Sequence, residues 1–197
     1  MRENSRTGSD PLASSRSLAI DVAMISGGVL VTALSAQVSV PWQPVPFTLQ
    51  TLGVTLCGLT LGGRRAVASQ LAYLAAGAAG APVFAGGVGG AQHLVGATGG
   101  YLLAFVLAAG LLGWLSDRGW NQRFLLAAGG LVLANAVILL AGAAWLSAFV
   151  GTEKAWVLGV LPFLWGGALK SILALAVVPG FWRPGVEIDA PRNPDQG

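Results

Sequence analysis

Long apolar stretches separated by short polar joints run through most of this chain. We predict membrane spans at residues 18–36, 47–62, 66–81, 99–116, 124–146 and 157–180. A straight helix needs about 20 residues to cross the hydrocarbon core of a bilayer. The second and third spans are shorter, so we expect them to form a compact pair aided by re-entrant chain or local thinning. The pattern therefore predicts an all-α integral membrane protein with six transmembrane helices.

Composition agrees with a membrane protein. Hydrophobic residues make up 54% of the 197 positions and charged residues only 10%, whereas a soluble domain usually carries about 25% charged residues. We interpret the net charge of +3 as flanking arginines that contact anionic membrane lipid, not as a surface for nucleic acid. One cysteine and one histidine exclude an intramolecular disulfide framework and argue against a Cys/His metal site, so no metal or cofactor is predicted.

The positive charges are concentrated at alternate joints. Nine arginines lie in the two tails and in the second and fourth joints, namely Arg2, Arg6, Arg16, Arg64, Arg65, Arg118, Arg123, Arg183 and Arg192. The first and third joints have none, and the fifth has Lys154. The positive-inside rule then places both termini in the cytoplasm. We expect a disordered cytoplasmic tail at 1–17, a membrane domain at 18–180 and a second cytoplasmic tail at 181–197.

Polar side chains interrupt the apolar pattern at the start of the second span. Three prolines in the segment 41–46 force a non-helical approach, and Thr48 and Gln50 then present a hydroxyl and an amide to an apolar wall. These groups either bind a ligand or belong to a rigid helix start in which they satisfy each other.

The third joint, residues 80–101, has no charged residue and is rich in glycine. We call it the glycine-rich segment. Its composition suits a lid that folds back into the bundle and binds a ligand through backbone groups. A flexible outer loop is the alternative, and His93 within it is interpreted as a polar loop residue.

Lys170 lies well inside the sixth span, with no acidic residue in that span. An intramembrane lysine costs about 2.5–3.5 kcal/mol on insertion scales and usually faces a cavity or a partner. It is a candidate receptor for a ligand carboxylate, and the alternative is that its side chain extends to the interface.

Three segments together resemble the BioY family, the biotin-specific S components of energy-coupling-factor (ECF) transporters. They are Pro-Val-Pro-Phe-Thr-Leu-Gln-Thr-Leu-Gly at 44–53, Ala-Pro-Val-Phe-Ala-Gly-Gly at 81–87 with Thr-Gly-Gly-Tyr at 98–101, and Pro-Phe-Leu-Trp-Gly-Gly-Ala-Leu-Lys at 162–170. Two positions depart from the family pattern: Gly167 replaces an acidic residue before the lysine, and Ala97 replaces a proline. The first departure leaves open which group accepts a hydrogen bond from the ureido N–H of biotin.

The resemblance implies capture of biotin from the outer side, by a protein that works with a transmembrane coupling subunit and ATPase subunits. Phe47, Phe84, Tyr101 and Trp165 would then line the apolar part of the ligand. Thr48 and Gln50 would meet its polar edges, and Lys170 would bind either the carboxylate or the ureido oxygen.

The first span carries small residues at every fourth position, Ala19, Ala23 and Gly27, which form one smooth stripe on a helix. The resemblance implies that this stripe docks the coupling subunit. Packing inside the bundle is the alternative.

The sequence lacks the motifs of ATPases and of common hydrolytic enzymes. There is no Gly-x4-Gly-Lys-Ser/Thr sequence, so the chain does not hydrolyse ATP by the P-loop route. It has no evident Ser/His or Asp pair, so we predict that it is not an enzyme. The other alternative is an S component or transporter for a different small carboxylate-bearing vitamin or metabolite.

Overall fold

The computed structural model describes residues 11–177, and within them the chain is mostly helical. The helices are α1 (Pro11–Gln37), α2 (Gln50–Leu61), α3 (Gly63–Ala78), α4 (Gln92–Val95), α5 (Gly99–Ser116), α6 (Phe124–Val150), α7 (Thr152–Gly159) and α8 (Leu161–Val177). A small antiparallel hairpin, β1 (Ser39–Val40) and β2 (Phe47–Thr48), connects α1 to α2. Residues 1–10 of the tail predicted at 1–17, and the whole tail predicted at 181–197, lie outside the described residues.

Each of the six predicted spans contains a helix, but the helices differ in length. Four segments are long and apolar enough to cross a membrane: Ser17–Gln37, α5, α6 and the nearly continuous pair α7–α8. With 12 and 16 residues, α2 and α3 are about 18 Å and 24 Å long at 1.5 Å per residue. The described structure is thus mostly helical, with four segments long enough to span a membrane and a shorter pair of helices.

Two predicted boundaries are wrong. The first helix begins at Pro11, inside the predicted tail, because nothing in the serine-rich sequence that follows interrupts helical backbone geometry. The predicted joint between residues 146 and 157 is mostly helical, since α6 continues to Val150 and α7 starts at Thr152. Gly151, with φ 83°, redirects the chain in a single residue, a conformation that glycine adopts without steric penalty.

The centre of the bundle is α5, which packs against α2, α3 and α6. Its membrane-length window is 61% buried, against 11% for the window in α1. Small residues permit this close packing: Ala108 and Ala109 are fully buried. A Cβ on Gly113 would lie 2.7 Å from the Gly63 backbone, so α5 and α3 touch through glycine.

One face of α1 packs against α2 and α3. A Cβ on Gly28 would lie 2.8 Å from the Ser69 Cβ. Thr32 is fully buried beside it; its hydroxyl donates to the Gly28 carbonyl (3.0 Å) and accepts from Gln70 Nε2 (3.1 Å). Hydrogen bonds between side chains therefore hold α1 to α3 where apolar burial provides little driving force.

Candidate ligand-binding site

A cavity of about 250 Å³ lies where the hairpin, α2, the glycine-rich segment, α5, α6 and α8 converge. Its walls are mostly apolar, with a few polar groups, as is usual for small-molecule sites. The residues that define it are Thr48, Gln50, Thr51, Phe84, His93, Tyr101, Phe105, Asn135, Ile138, Phe163, Gly167 and Lys170.

The polar start of α2 is part of a hydrogen-bond chain. The Thr48 hydroxyl donates to Gln50 Oε1 (2.9 Å), Gln50 Nε2 donates to the Tyr73 hydroxyl (2.7 Å), and that hydroxyl donates to the Val83 carbonyl (3.0 Å). Thr48 and Gln50 therefore satisfy each other, as the second alternative for this segment expects, and both also line the cavity. These hydrogen bonds connect the glycine-rich segment to α2 and α3.

The glycine-rich segment folds back onto the bundle. Phe84 is 3% exposed, and its ring packs edge-on against Tyr73 (centroids 5.6 Å apart) and His93 (5.9 Å). A Cβ on Gly77 would overlap the Phe84 ring, so glycine in α3 makes room for it. Gly90 N–H donates to the Gly77 carbonyl (2.7 Å) and holds the return of the segment.

Lys170 reaches across the cavity from α8. Its ammonium donates to the Thr48 carbonyl (2.8 Å), a contact between residues 122 positions apart. The salt bridge found in the described residues is between Arg65 and Asp21, so no carboxylate there pairs with Lys170. An ammonium has three N–H donors, and two of them remain available to a ligand.

Tyr101 and Phe163 supply aromatic wall. The Tyr101 hydroxyl donates to the Gly159 carbonyl (2.8 Å), which anchors the ring between α5 and α7. Phe163 stacks on Phe47 with centroids 4.4 Å apart. Phe47 thus supports the wall from behind and is not among the residues that line the cavity.

The expectation that Trp165 lines this wall is wrong. Its side chain is 85% exposed and lies outside the cavity. Two residues along an α-helix turn the side chain by about 200°, so Phe163 and Trp165 face opposite directions. Phe163 occupies the aromatic position that the sequence suggested for Trp165.

Sequence reasoning missed many of the lining residues, among them Thr51, His93, Asn135 and Phe163. His93 lies in α4 and lines the cavity; this short helix was not predicted, because the segment around it is rich in glycine. Asn135 carried a usable signal, because a polar amide in the middle of an otherwise apolar 27-residue helix is costly unless it has partners.

The predicted docking residues lie on the open side of α1. Ala19 and Ala23 are exposed, Gly27 is half-buried, and a Cβ on Gly27 would meet nothing within 4 Å. Packing inside the bundle uses Gly28 and Thr32 instead.

The described residues contain no group of three or more His, Cys, Asp or Glu side chains that could hold a metal ion. Cys57 is buried, with its sulfur 3.8 Å from the Thr32 hydroxyl.

Comparisons with known proteins agree with one another. The model of the BioY family matches residues 5–185. The probable biotin transporter BioY of Pyrococcus horikoshii is 43% identical over 157 residues, which cover 80% of this chain and 93% of the relative. The biotin transporter BioY of Thermotoga maritima is 36% identical over 157 residues, covering 78% and 92%. The crystal structure of an S-component for biotin from an ECF-type ABC transporter aligns with a TM-score of 0.70 and 25% identity, covering 90% of this chain and 96% of that one.

Proposed function

Because this chain belongs to the BioY family, we propose that it captures biotin as the substrate-binding subunit of an ATP-driven uptake system. The family consists of transporter S components, so this multi-pass membrane protein is not an enzyme. The observation that carries the proposal is a cavity, lined in part by the glycine-rich segment, in which Lys170 keeps two N–H donors free.

The chemistry of the cavity suits the parts of biotin. The thiophane ring and valeryl chain are apolar and match the faces of Phe84, Tyr101 and Phe163. The ureido ring and the carboxylate need polar partners, and Thr48 and Gln50 belong to the same wall. The ammonium of Lys170 can donate a charge-assisted hydrogen bond to either the carboxylate or the ureido oxygen.

For the topology we propose six spans with both termini in the cytoplasm and the glycine-rich segment on the outer side. Contact between two arginine-bearing joints supports this arrangement. Gly63 N–H, beside Arg64, donates to Asp117 Oδ2 (2.9 Å), beside Arg118, so both joints lie at one end of the bundle. Clustering of arginine at one membrane face is the pattern of a cytoplasmic surface.

For the partners we propose a transmembrane coupling subunit and ATPase subunits of an ECF transporter in the bacterial or archaeal cell membrane. The open stripe of Ala19, Ala23 and Gly27 on α1 supports this, because small side chains let another helix approach closely. An ATPase in trans also supplies the energy source that a chain without a P-loop needs.

The decisive experiment is a biotin titration of the purified protein in detergent, with Lys170→Ala beside the parent. Loss of a charged hydrogen bond of about 1.5–3 kcal/mol corresponds to roughly 10- to 100-fold weaker binding. Lys154→Ala is the matched control, because Lys154 is exposed on α7 and outside the cavity. Equal affinity of the parent and Lys170→Ala would show that the site is misplaced.

A second candidate is an S component for another small carboxylate-bearing vitamin or metabolite. The observation that favours it is Gly167, which lines the cavity where the family pattern has an acidic residue. Competition of labelled biotin with a panel of unlabelled vitamins separates the two. Biotin affinity weaker than micromolar, together with stronger binding of another vitamin, would support this second candidate.

A further inference from the structure

Asn135 presents a fixed hydrogen-bond acceptor at the cavity wall. Its Nδ2 donates to the Leu131 carbonyl (2.9 Å) and to the Ser171 hydroxyl (3.1 Å). The Ser171 hydroxyl in turn donates to the Gly167 carbonyl (2.8 Å), so it can only accept from the amide. Both Nδ2 hydrogens are used, and this sets the orientation of the amide. The Oδ1 atom accepts no hydrogen bond from the described residues.

Gly167 leaves that oxygen uncovered. The glycine is buried in α8 and lines the cavity together with Asn135. A Cβ at position 167 would lie 3.3 Å from Asn135 Oδ1, its nearest neighbour. Any side chain at position 167 would therefore cover the Asn135 amide oxygen. Asn135 is half-buried and lines the cavity, so its oxygen remains open to a hydrogen-bond donor on a ligand.

Lys170 lies three residues after Gly167, on the same face of α8. The wall formed by α6 and α8 therefore combines an ammonium donor with an amide acceptor. A carboxylate offers only acceptors and would set one oxygen against Asn135 Oδ1. A cyclic urea presents its C=O and an adjacent N–H on one edge, which matches a donor beside an acceptor.

We propose that Asn135 determines specificity for the ureido ring by accepting a hydrogen bond from a ring N–H, through the opening left by Gly167. This inference rests on the proposed function, because the ring N–H belongs to biotin. It assigns the α6–α8 wall to the ureido end of the ligand. Thr51, whose buried hydroxyl has no partner among the described residues, provides a second polar group on the cavity lining.

The test compares biotin with biotin methylated at a ureido nitrogen, each nitrogen in turn, in titrations of the purified full chain. Methylation removes one N–H donor. The parent should prefer biotin over one of these analogues by about 10- to 100-fold, the range expected when a buried acceptor loses its donor. In Asn135→Ala the ratio of the two affinities should fall toward one. A merely structural role for Asn135 would weaken both ligands equally, and an unchanged preference would overturn the inference.

A second pair of variants leaves Asn135 in place. It tests whether Asn135 Oδ1 must be uncovered for biotin to bind, even if Asn135→Ala does not fold. Gly167→Ala should weaken biotin binding by about tenfold by covering Oδ1. Gly129→Ala is the control, since its Cβ would meet nothing within 4 Å and Gly129 lies outside the cavity, so this variant should bind as the parent does. Equal binding by both alanine variants would refute the role of the opening. If the parent does not bind biotin, both the proposed function and this inference are refuted. If the parent binds biotin and the variants bind it with the same affinity, only this inference is refuted.

Discussion

Gly142→Ala is the substitution whose effect follows most directly from the packing. Gly142 lies in α6 against Tyr101, and an added Cβ would overlap the tyrosine ring at three of its atoms. The ring is 6% exposed and its hydroxyl is bonded to the Gly159 carbonyl, so it cannot withdraw without losing that hydrogen bond. The substitution therefore strains a residue that also lines the cavity.

The magnitude comes from three contributions. Overpacking a close-packed interior costs about 1–3 kcal/mol, and a weakened Tyr101 hydrogen bond costs about 1 kcal/mol. Alanine in a helix interior is favoured over glycine by about 1 kcal/mol, which offsets part of this. We expect the free energy of unfolding to fall by about 1–3 kcal/mol, and biotin binding to weaken as Tyr101 shifts.

Gly129→Ala is the matched control. It lies in the same helix, and a Cβ there would meet nothing within 4 Å, so we expect no loss and a gain of up to about 1 kcal/mol. Thermal unfolding in mild detergent, followed by tryptophan fluorescence, should separate the two variants by at least about 2 °C. Equal melting temperatures, with unchanged biotin affinity for Gly142→Ala, would refute the packing argument.

Two other variants test the glycine-rich segment and the docking stripe. Tyr73→Phe leaves Gln50 Nε2 and the Val83 carbonyl without their shared partner, so we expect a loss of about 2 kcal/mol in thermal unfolding; a stability equal to that of the parent would contradict it. Leucine at both Ala19 and Ala23 should leave biotin binding intact and reduce co-purification of the coupling subunit, because the exposed stripe becomes too bulky for a neighbouring helix; normal co-purification would count against docking.

The apolar pattern was sufficient to predict a helical membrane protein and the segments that approach the cavity. Hydrocarbon thickness dictates the length of apolar runs. The polar interruptions singled out Thr48, Gln50 and Lys170, and the resemblance to the BioY family added Phe84 and Tyr101; all five line the cavity. The lengths of α2 and α3 were also visible in advance as a departure from full spans. The inferences from span length and from polar positions need only local sequence, because each depends on the cost of placing polar groups in lipid.

Only the tertiary structure decided which side of each helix faces the cavity. In water an apolar stripe marks the buried face, but α5 and α6 are apolar all round because lipid and core accept the same side chains. The choice of Phe163 over Trp165, the turn of His93 inward and the exposure of the Asn135 oxygen beside Gly167 therefore depend on helix rotation in the bundle. That rotation is set by close contacts such as those at Gly28, Gly113 and Gly142, which join residues far apart in the chain and leave no local pattern.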